Sequence, residues 1–361
     1  MKRFYHPLNL YDLERLAEER LATDYWHVVA GGVGDEITVH RNRAAFDAIA
    51  IRPRLLTDVT TRDLSTAVLG HRISFPVMVP PAGSQVWAHP DGDVATARAC
   101  SAHRTVMSLR AGAGKTVAEV RKATTGPLWY GVKHYPDEVT EHLIGRAVEA
   151  GVDAICITIA GPGMGDREPD VRGFSPSHDA PMQSYVGKWA DLADRPDLAE
   201  RMEDLDGVSY PPLDGKRLEW LKGLTGLPLI VKEVMTDEDA LRAVDHGADA
   251  VVVSNHGGRT FDGMQASIEV LPEIVSAVGD RAEVYLDSGV RRGTDVLKAL
   301  ALGARAVMVG RPVFWGLAVD GEAGVRTMFQ ILKAEFDKAM AMCGCTSVAD
   351  IDERRVVLPG R

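Results

Sequence analysis

The sequence predicts a single (β/α)8 barrel, an α/β fold in which eight parallel strands alternate with helices. From about residue 75 to the end of the 361-residue chain, short apolar runs alternate with longer segments of helical spacing. Continuous apolar runs are typical of parallel strands that are buried on both faces. Eight repeats of strand and helix favour a closed barrel over an open doubly wound sheet, and such a barrel uses this length as one domain.

The eight strand-like runs can be read in order along the chain. They are FPVMVPPAG, TVMSLR, LWYGV, AICITIA, PLIVKEV, AVVVSNHG, EVYLDSG and AVMVGRP. Segments between them, such as DVATARACSAH and VTEHLIGRAVEAG, carry apolar residues three to four positions apart, which is the spacing of one helix face. Several of these segments end in glycine, as helices often do. The sequence therefore predicts a helix between consecutive strands.

Two parts of the chain fall outside this alternation. Residues 1–70 contain an amphipathic helix around Leu13 and then a glycine-rich turn, and we expect them to cap one end of the barrel. Residues 161–216, between the fourth and fifth strands, are rich in Pro, Asp and Gly and weakly periodic. Because long loops are often lids and this one leaves the barrel on the face where active sites form, we expect a lid within one domain spanning 1–361.

Composition argues against several classes of partner. The residues are 45% hydrophobic and 25% charged, an ordinary balance for a soluble protein. The formal net charge of −10 disfavours nucleic acid and membrane surfaces as partners, because both attract basic faces. No apolar run approaches a membrane span, and the N-terminus lacks a signal-peptide core. Of four cysteines only Cys343 and Cys345 are close, in a C-G-C spacing that fits neither a metal site nor a redox pair. We expect a cytoplasmic protein with reduced thiols and no metal.

Polar residues stand where successive strands end, which is where barrels of this class place catalytic groups. Lys232 ends the fifth strand, and an ammonium there is costly to bury unless it is paired or functional. His256 and Arg259 follow the sixth strand and flank two glycines, which let the backbone approach a ligand closely. The seventh and eighth strands run into DSGVRRG and GRP, where barrels often bind phosphate. Backbone amides with Arg291 or Arg311 could neutralise a dianion there.

These motifs resemble those of a known family. The run SNHGGRTFDG, followed by LDSGVRRGTDVLKALALGARAVMVGRP, is similar to the FMN-dependent α-hydroxy-acid oxidases and dehydrogenases, among them glycolate oxidase, lactate oxidase and mandelate dehydrogenase. The similarity spans nearly the whole chain, with AGGVGDE near its start and HPDGD after the first strand. It implies FMN as cofactor, a small substrate with a carboxylate, and hydride transfer from a CH–OH group to flavin N5. It also implies a homo-oligomer, a tetramer within the family.

The resemblance implies roles for individual residues. Lys232 would lie near flavin N1 and O2 and favour the anionic reduced ring. His256 would handle the proton, and Arg259 would clamp the substrate carboxylate. Arg167 matches a lid arginine near the substrate. The other positions expected to contact the flavin are Pro81, Ala82, Gly83, Arg110, Tyr130, Thr158, Ser254, Asp287, Gly289, Arg291, Gly310 and Arg311.

Several positions that would contact the substrate depart from the family pattern. The two tyrosines that hold the carboxylate fall at Val28 and Val132, although Tyr25 lies near the first of them. Both changes remove a hydroxyl donor and favour a bulkier, more apolar substrate. The flavin-binding glutamine falls at Tyr130, and a serine of the second strand falls at Arg110. Arg110 could replace a lost anchor, meet a second acidic group of the substrate, or form a salt bridge at the barrel rim.

The carboxylate that supports the catalytic histidine in the family is also missing, since its position is Ala160. Without it, the imidazolium form of His256 loses its partner, and the ring becomes a weaker base. Glu233, which stands where the family has glycine, could replace the aspartate, and so could Asp166 or the substrate itself.

Three functions are left open by these residues. The first is an FMN enzyme that oxidises a carbon bearing a hydroxyl or amine beside a carboxylate, on a bulkier or specialised substrate. The second is an FMN enzyme of changed chemistry, such as oxidative deamination or decarboxylation of a natural-product or peptide-derived precursor. The third is a non-catalytic flavin-binding protein, against which the joint presence of Lys232, His256 and Arg259 argues.

We predict that the purified protein is yellow and releases FMN rather than FAD when denatured. The two glycine turns after the seventh and eighth strands provide one phosphate site and no second nucleotide pocket. Chromatography of the released flavin against both standards measures the outcome. Recovery of FAD, or a colourless protein that does not take up added FMN, would contradict the prediction.

Overall fold

Short helices and strands precede the barrel. The structure, a computed structural model, describes residues 6–133, 135–159, 168, 189–203 and 213–360. Its first elements are α1 (Leu10–Glu18), α2 (Thr23–Ala30), α3 (Ile37–Ala48), β1 (Ala50–Ile51), β2 (Thr66–Val68) and β3 (His71–Ile73). Strands β2 and β3 pair as an antiparallel hairpin. Asn9 caps α1 by accepting a hydrogen bond from the amide of Asp12, which is the role that a side-chain oxygen plays at a helix start.

Eight parallel strands then form a closed barrel. They are β4 (Val77–Met78), β5 (Met107–Arg110), β6 (Leu128–Val132), β7 (Ala154–Thr158), β8 (Leu229–Val234), β9 (Ala250–Val253), β10 (Glu283–Leu286) and β11 (Ala306–Met308). Strands β5 to β11 pair in sequence order, and β11 pairs with β4. A parallel bridge from Val79 to Met107 closes the ring. The predicted (β/α)8 barrel is confirmed, and each of the eight apolar runs contains one strand.

Helices alternate with these strands, and their ends carry sequence signals. They are α4 (Gly92–Ala102), α5 (Val117–Ala123), α6 (Asp137–Glu149), α7 (Pro196–Glu203), α8 (Gly215–Thr225), α9 (Asp237–Asp245), α10 (Ser267–Val278), α11 (Gly293–Ala301) and α12 (Arg311–Met342). Thr116 and Glu119 form a capping box at the start of α5, which satisfies two amides reciprocally. The last strand, β12 (Val356–Val357), pairs with β1. No helix within the described ranges joins enough length to enough apolar character to cross a lipid bilayer.

Side chains that alternate along the strands separate two cores. Met78, Trp129 and Tyr285 belong to an inner cluster that receives residues from nearly every barrel strand. Val68 and Ile73 of the β2–β3 hairpin join this cluster, so the hairpin closes the amino end of the barrel. The larger cluster lies between the strands and the helices. Because successive residues of a strand face opposite sides, cluster membership shows which strand residues point inward.

The segment before the hairpin is bonded to loops at the carboxyl end of the barrel. The side-chain amides of Asn42 on α3 and Asn255 after β9 exchange hydrogen bonds of 2.9 and 2.8 Å. The amide of Thr38 donates to Asp262 at 2.8 Å, and Lys298 of α11 donates to the carbonyl of Phe46 at 2.7 Å. The first helices are therefore held over the ends of β9 to β11.

The expected lid over 161–216 falls largely outside the described residues. Within it the structure describes Glu168, residues 189–203 and the chain from Leu213 onward. Asp191 ties the second of these parts to the barrel, since its carboxylate accepts hydrogen bonds from the amide of Val117 and from the hydroxyl of Tyr130, at 2.9 Å each.

Helix α12 is bent where the chain turns back on itself. Asp320 and Gly321 have non-helical backbone angles, and beyond them Gly324 packs against Gly316. A Cβ added to Gly324 would stand 1.9 Å from the carbonyl oxygen of Gly316. The two halves of the helix can touch there only because neither residue has a side chain.

We predict that Gly324→Ala lowers the free energy of unfolding by about 1–3 kcal/mol, because the added methyl overpacks this contact. Gly223→Ala on α8 is the matched control, since a Cβ there meets nothing within 4 Å. In the control, alanine is expected to stabilise the helix by up to about 1 kcal/mol. Chemical denaturation of the FMN-loaded proteins measures both changes. Equal stability of the two variants would show that the bend can absorb the methyl group.

Candidate active site

Backbone strain is concentrated where the barrel strands end. Among the described non-glycine residues with positive φ are Ser84 (64°), Glu233 (80°), His256 (56°) and Ser288 (73°). They follow β4, lie in β8, follow β9 and follow β10. Side chains in the left-handed region cost of order 1–3 kcal/mol each, and such residues cluster at functional sites because the surrounding structure enforces them. The carboxyl end of the barrel is thus the candidate site.

A buried ion pair stands at the centre of this end. The Lys232 ammonium lies 3.1 Å from the Asp287 carboxylate, and their side chains are only 4% and 9% exposed. Lys232 also donates to the hydroxyl of Ser254 at 2.9 Å. Thr158 is its register neighbour on β7 and is buried. The expected flavin contacts of β7 to β10 are therefore brought together around one ammonium.

His256 contacts a carboxylate that comes from the neighbouring strand. Its Nδ1 meets the Oε1 of Glu233, whose side chain is 6% exposed, whereas about a third of the imidazole is open to solvent. The register of β8 and β9 shifts between Lys232 and Val234, a bulge that re-aims the intervening side chain. The amide of His256 donates to the hydroxyl of Ser254 at 3.1 Å, which holds the loop over the Lys232 pair.

Positive charge surrounds His256. Burial of the ring lowers its pKa well below the ordinary value, and the charges of Lys232, Arg259, Lys133 and Arg110 lower that pKa further. These four cations come from β8, the loop after β9, the end of β6 and β5. The neutral ring is therefore favoured before a ligand binds, and the Glu233 carboxylate is the opposing charge in contact with it.

Arg259 is held by the N-terminal helices. Its Nη1 donates to the carbonyls of Val28 and Gly31 at 2.7 and 2.8 Å. Val28 was expected to contact the substrate through its side chain, whereas these bonds use its backbone. Tyr25, one turn earlier, donates from its hydroxyl to the carbonyl of Ser84 at 2.6 Å, and burial raises its pKa. This tyrosine hydroxyl is the one that α2 brings to the site.

Arg110 and Gly83 are placed against each other at the mouth of the barrel. A Cβ on Gly83 would lie 2.4 Å from Nη1 of Arg110, so alanine would displace the guanidinium. Gly131, opposite Arg110 in the register of β5 and β6, is packed in the same way, because a Cβ there would lie 2.3 Å from Pro81. The carbonyl of Ala82 accepts a hydrogen bond from Gln85 at 3.0 Å. Pro81, Ala82, Gly83 and Arg110 thus form one wall.

Two expected site residues point away from the mouth. Tyr130 and Val132 belong to the outer cluster between strands and helices, and the Tyr130 hydroxyl bonds to Asp191. Trp129 is in the inner cluster, so the alternation of β6 directs Gly131 and Lys133 inward. The structure therefore does not bring the side chains of Tyr130 and Val132 to the flavin or the substrate. A shift of one residue along the strand corrects the assignment and introduces Lys133.

Two half-buried guanidinium groups mark the expected phosphate end. Burial lowers the pKa of Arg311 to about 10, as does the charge of Arg291. Arg291 lies over the Trp315 ring at 4.8 Å and precedes α11. Arg311 opens α12 and donates to the carbonyls of Val29, Gly257 and Gly31. Neighbouring cations at two helix starts suit a dianion, so this donor set fits a phosphate group.

Glycines let the backbone come close at the same end. Gly289 has a φ of 92°, which strongly favours glycine, and a Cβ there would stand 2.6 Å from the carbonyl oxygen of Asn42. Gly310 is the residue before α12.

Arg167, Ala160 and Asp166 lie outside the residues that the structure describes, so their predicted roles stay predictions.

Comparison with known proteins agrees with this geometry. A family model described as FMN-dependent dehydrogenase matches residues 17–358. The chain is 42% identical to an L-lactate oxidase of Nostoc sp., over 96% of this chain and 97% of that protein. It is 43% identical to glycolate oxidase 3 of Arabidopsis thaliana, over 96% and 95%. A crystal structure of mandelate oxidase with (S)-2-phenylpropionate superposes with a TM-score of 0.86 at 36% identity, covering 97% of this chain and 98% of that one.

We predict that Lys232→Met weakens FMN binding by about tenfold or more and destabilises the protein. Removing one partner of a buried ion pair costs about 3–5 kcal/mol, because the other charge is left buried alone. The double variant Lys232→Met/Asp287→Asn should regain much of that stability without regaining FMN affinity. Lys222→Met, which breaks the more exposed pair with Asp249, is the control. Fluorescence titration with FMN and chemical denaturation measure the two effects. Wild-type affinity in the double variant would show that Lys232 acts only in the fold.

Proposed function

The chain belongs to the FMN-dependent dehydrogenase family, and from this premise we propose that it oxidises a 2-hydroxy acid that carries a second acidic group. It is an FMN-dependent oxidoreductase that acts on CH–OH donors. The proposal concerns the substrate. The sequence predicts a bulkier or specialised substrate with a carboxylate, and the proposal restricts this class to substrates with two acidic groups.

The observation that carries the proposal is the position of Arg110. It stands at the mouth of the barrel against Gly83, in addition to Arg259, and no carboxylate of the described residues lies within ion-pair distance of it. The charge of Arg110 acts on the carboxyl of Asp93, whose pKa burial raises to about 7. Lys133 adds a further positive charge near His256. A half-buried guanidinium of this kind suits a bidentate contact with a carboxylate.

Different residues of this chain would bind the substrate, accept its proton and hold the cofactor. FMN, when bound, accepts the two electrons of the oxidation. Arg259 is placed to bind the carboxylate beside the hydroxyl, and His256 is placed to take the hydroxyl proton. Lys232 would hold positive charge beside the flavin ring, as the resemblance implies. Arg291 and Arg311 would hold the phosphate.

Three broader features belong to the same proposal. We propose one catalytic domain over 1–361 with a lid over 161–216, acting as a homo-oligomer in the cytoplasm. The four cysteines are free and buried, which suits a reducing compartment. The exposed side chains of Leu55, Leu56 and Phe261 are apolar surface that a second copy could cover. Sedimentation of the FMN-loaded protein measures the oligomeric state.

We predict that 2-hydroxydicarboxylates reduce the flavin with a kcat/KM at least about tenfold above that of 2-hydroxymonocarboxylates of equal chain length, and far above that of glycolate or L-lactate. A charge-assisted hydrogen bond contributes about 1.5–3 kcal/mol, and 1.4 kcal/mol is a factor of about ten. Anaerobic mixing, followed at the flavin absorbance, measures the rates. The corresponding amino acids are included to detect amine oxidation.

Arg110→Ser is expected to remove the preference for the second carboxylate, and the protein should still bind FMN because serine is the residue of the family pattern at this flavin-facing position. Arg242→Ser, at an exposed arginine of α9, is the control and should keep the preference. Rapid flavin reduction by glycolate or L-lactate, at rates equal to those of the diacids, would refute the proposed substrate class.

A further inference from the structure

Glu233 has a buried acidic side chain that takes no part in the proposed binding of the substrate or of FMN. Its carboxylate contacts Nδ1 of His256 and its side chain is 6% exposed. It stands on the bulge between Lys232 and Val234 with a φ of 80°. The adjoining residues of β8 are buried on both sides, so the glutamate is part of the barrel wall and not of a loose loop.

Two features of this position disfavour a glutamate. A positive φ strains every residue with a Cβ, and glycine would adopt it freely. Enclosing a carboxylate is also unfavourable unless the charge is paired. A residue that is unfavourable on both counts, in contact with the proton-accepting group of the site, indicates that the carboxylate itself is required there.

The ring that it contacts needs such a partner. The charges of four cations act on His256, with Arg110 on β5, Lys133 after β6, Lys232 on β8 and Arg259 after β9. Asp287, directly after β10, is paired with Lys232. When the imidazole accepts a proton, the resulting imidazolium is repelled by all four cations, and Glu233 is the anion in contact with it.

We propose that Glu233 is the positioning residue for His256: its carboxylate accepts the Nδ1 proton, which leaves Nε2 free to take the hydroxyl proton of the substrate and stabilises the imidazolium that forms. The inference rests on the proposed role of His256. In the step, the hydroxyl proton moves to Nε2, the C–H hydrogen leaves with both bonding electrons as a hydride that bound FMN would accept, the C–O bond becomes a carbonyl, and the Nδ1 proton stays between the ring and Glu233. A carboxylate on one ring nitrogen fixes the tautomer and orientation of the other.

The pH dependence follows from the sign of this interaction. A carboxylate beside the ring favours its protonated form, so removing the carboxylate lowers the pKa of His256. The acidic limb of the kcat/KM profile, where the base becomes protonated, should therefore move to lower pH in Glu233→Gln. The plateau of the profile should fall at the same time, because the imidazolium formed in the transition state has lost its support.

The test uses the FMN-loaded enzyme with three substitutions at this position. Glu233→Gln and Glu233→Gly should reduce kcat by about tenfold to a hundredfold, the range expected for one charge-assisted contact, with a smaller change in KM. Glu233→Asp should recover part of the loss. Glu233→Gly removes the backbone strain, so its Tm should equal or exceed that of the wild type. A structural role predicts the opposite, a lower Tm with an unchanged pH profile.

The chain contains a matched control. His246 and Glu219 form the same type of contact at 2.8 Å on the surface, and Glu219→Gln should leave kcat, the acidic limb and Tm unchanged. His256→Gln separates the two proposals. If it keeps full activity, the proposed role of His256 fails. If it is inactive while Glu233→Gln and Glu233→Gly keep the wild-type kcat and acidic limb, the role of Glu233 alone is overturned.

Discussion

An excess of positive charge at one end of the barrel is the constraint on which the rest of this site depends. The chain as a whole carries a formal net charge of −10, yet cations from six strands converge where the strands end. Lys232 is neutralised by Asp287 at 3.1 Å, whereas Arg291 and Arg311 are half-buried neighbours. Unpaired buried charge is unfavourable, so these groups suit a protein whose anions arrive as ligands. A bound phosphate and a substrate carboxylate would neutralise this positive charge.

The backbone holds this charge in place at a cost in strain. Glu233, His256 and Ser288 all have positive φ, and their side chains or amides join neighbouring strands. The hydroxyl of Ser288 accepts from the amide of Gly257 at 2.9 Å and donates to Asp287 at 2.7 Å. The strained loop after β9 is thus linked through Ser288 to the Lys232–Asp287 ion pair. The N-terminal helices add the last restraint, because their carbonyls bind the guanidinium groups of Arg259 and Arg311. A rigid set of this kind keeps the reacting groups oriented before the substrate binds.

The fold could be predicted from the sequence because apolar runs and helical spacing repeat eight times, whereas part of the site could not. Lys232, Ser254, His256, Arg259 and Asp287 were found because each stands at a strand end. The sequence predicts Tyr130 and Val132 at the site, but a shift of one residue along a strand moves a side chain to the opposite face of the sheet. The sequence of β6 does not by itself show which residues face inward. Lys133 was missed for the same reason. The sequence leaves three possible partners for His256, and the contact with Glu233 depends on the bulge in β8, which the sequence does not show.

The carboxylate beside His256 has moved to another strand in this chain, relative to the family pattern, and that move has a chemical consequence. A carboxylate on β8 shares its strand with Lys232, so the group proposed to support the imidazolium and the group expected to face the flavin are adjacent residues. The side chains of a regular strand alternate, and only the bulge after Lys232 lets both turn toward the same site. At the position after β7, where the family has an aspartate, Ala160 brings no negative charge. Arg110 adds positive charge at the mouth, so a second anionic group of the substrate meets attraction there rather than repulsion.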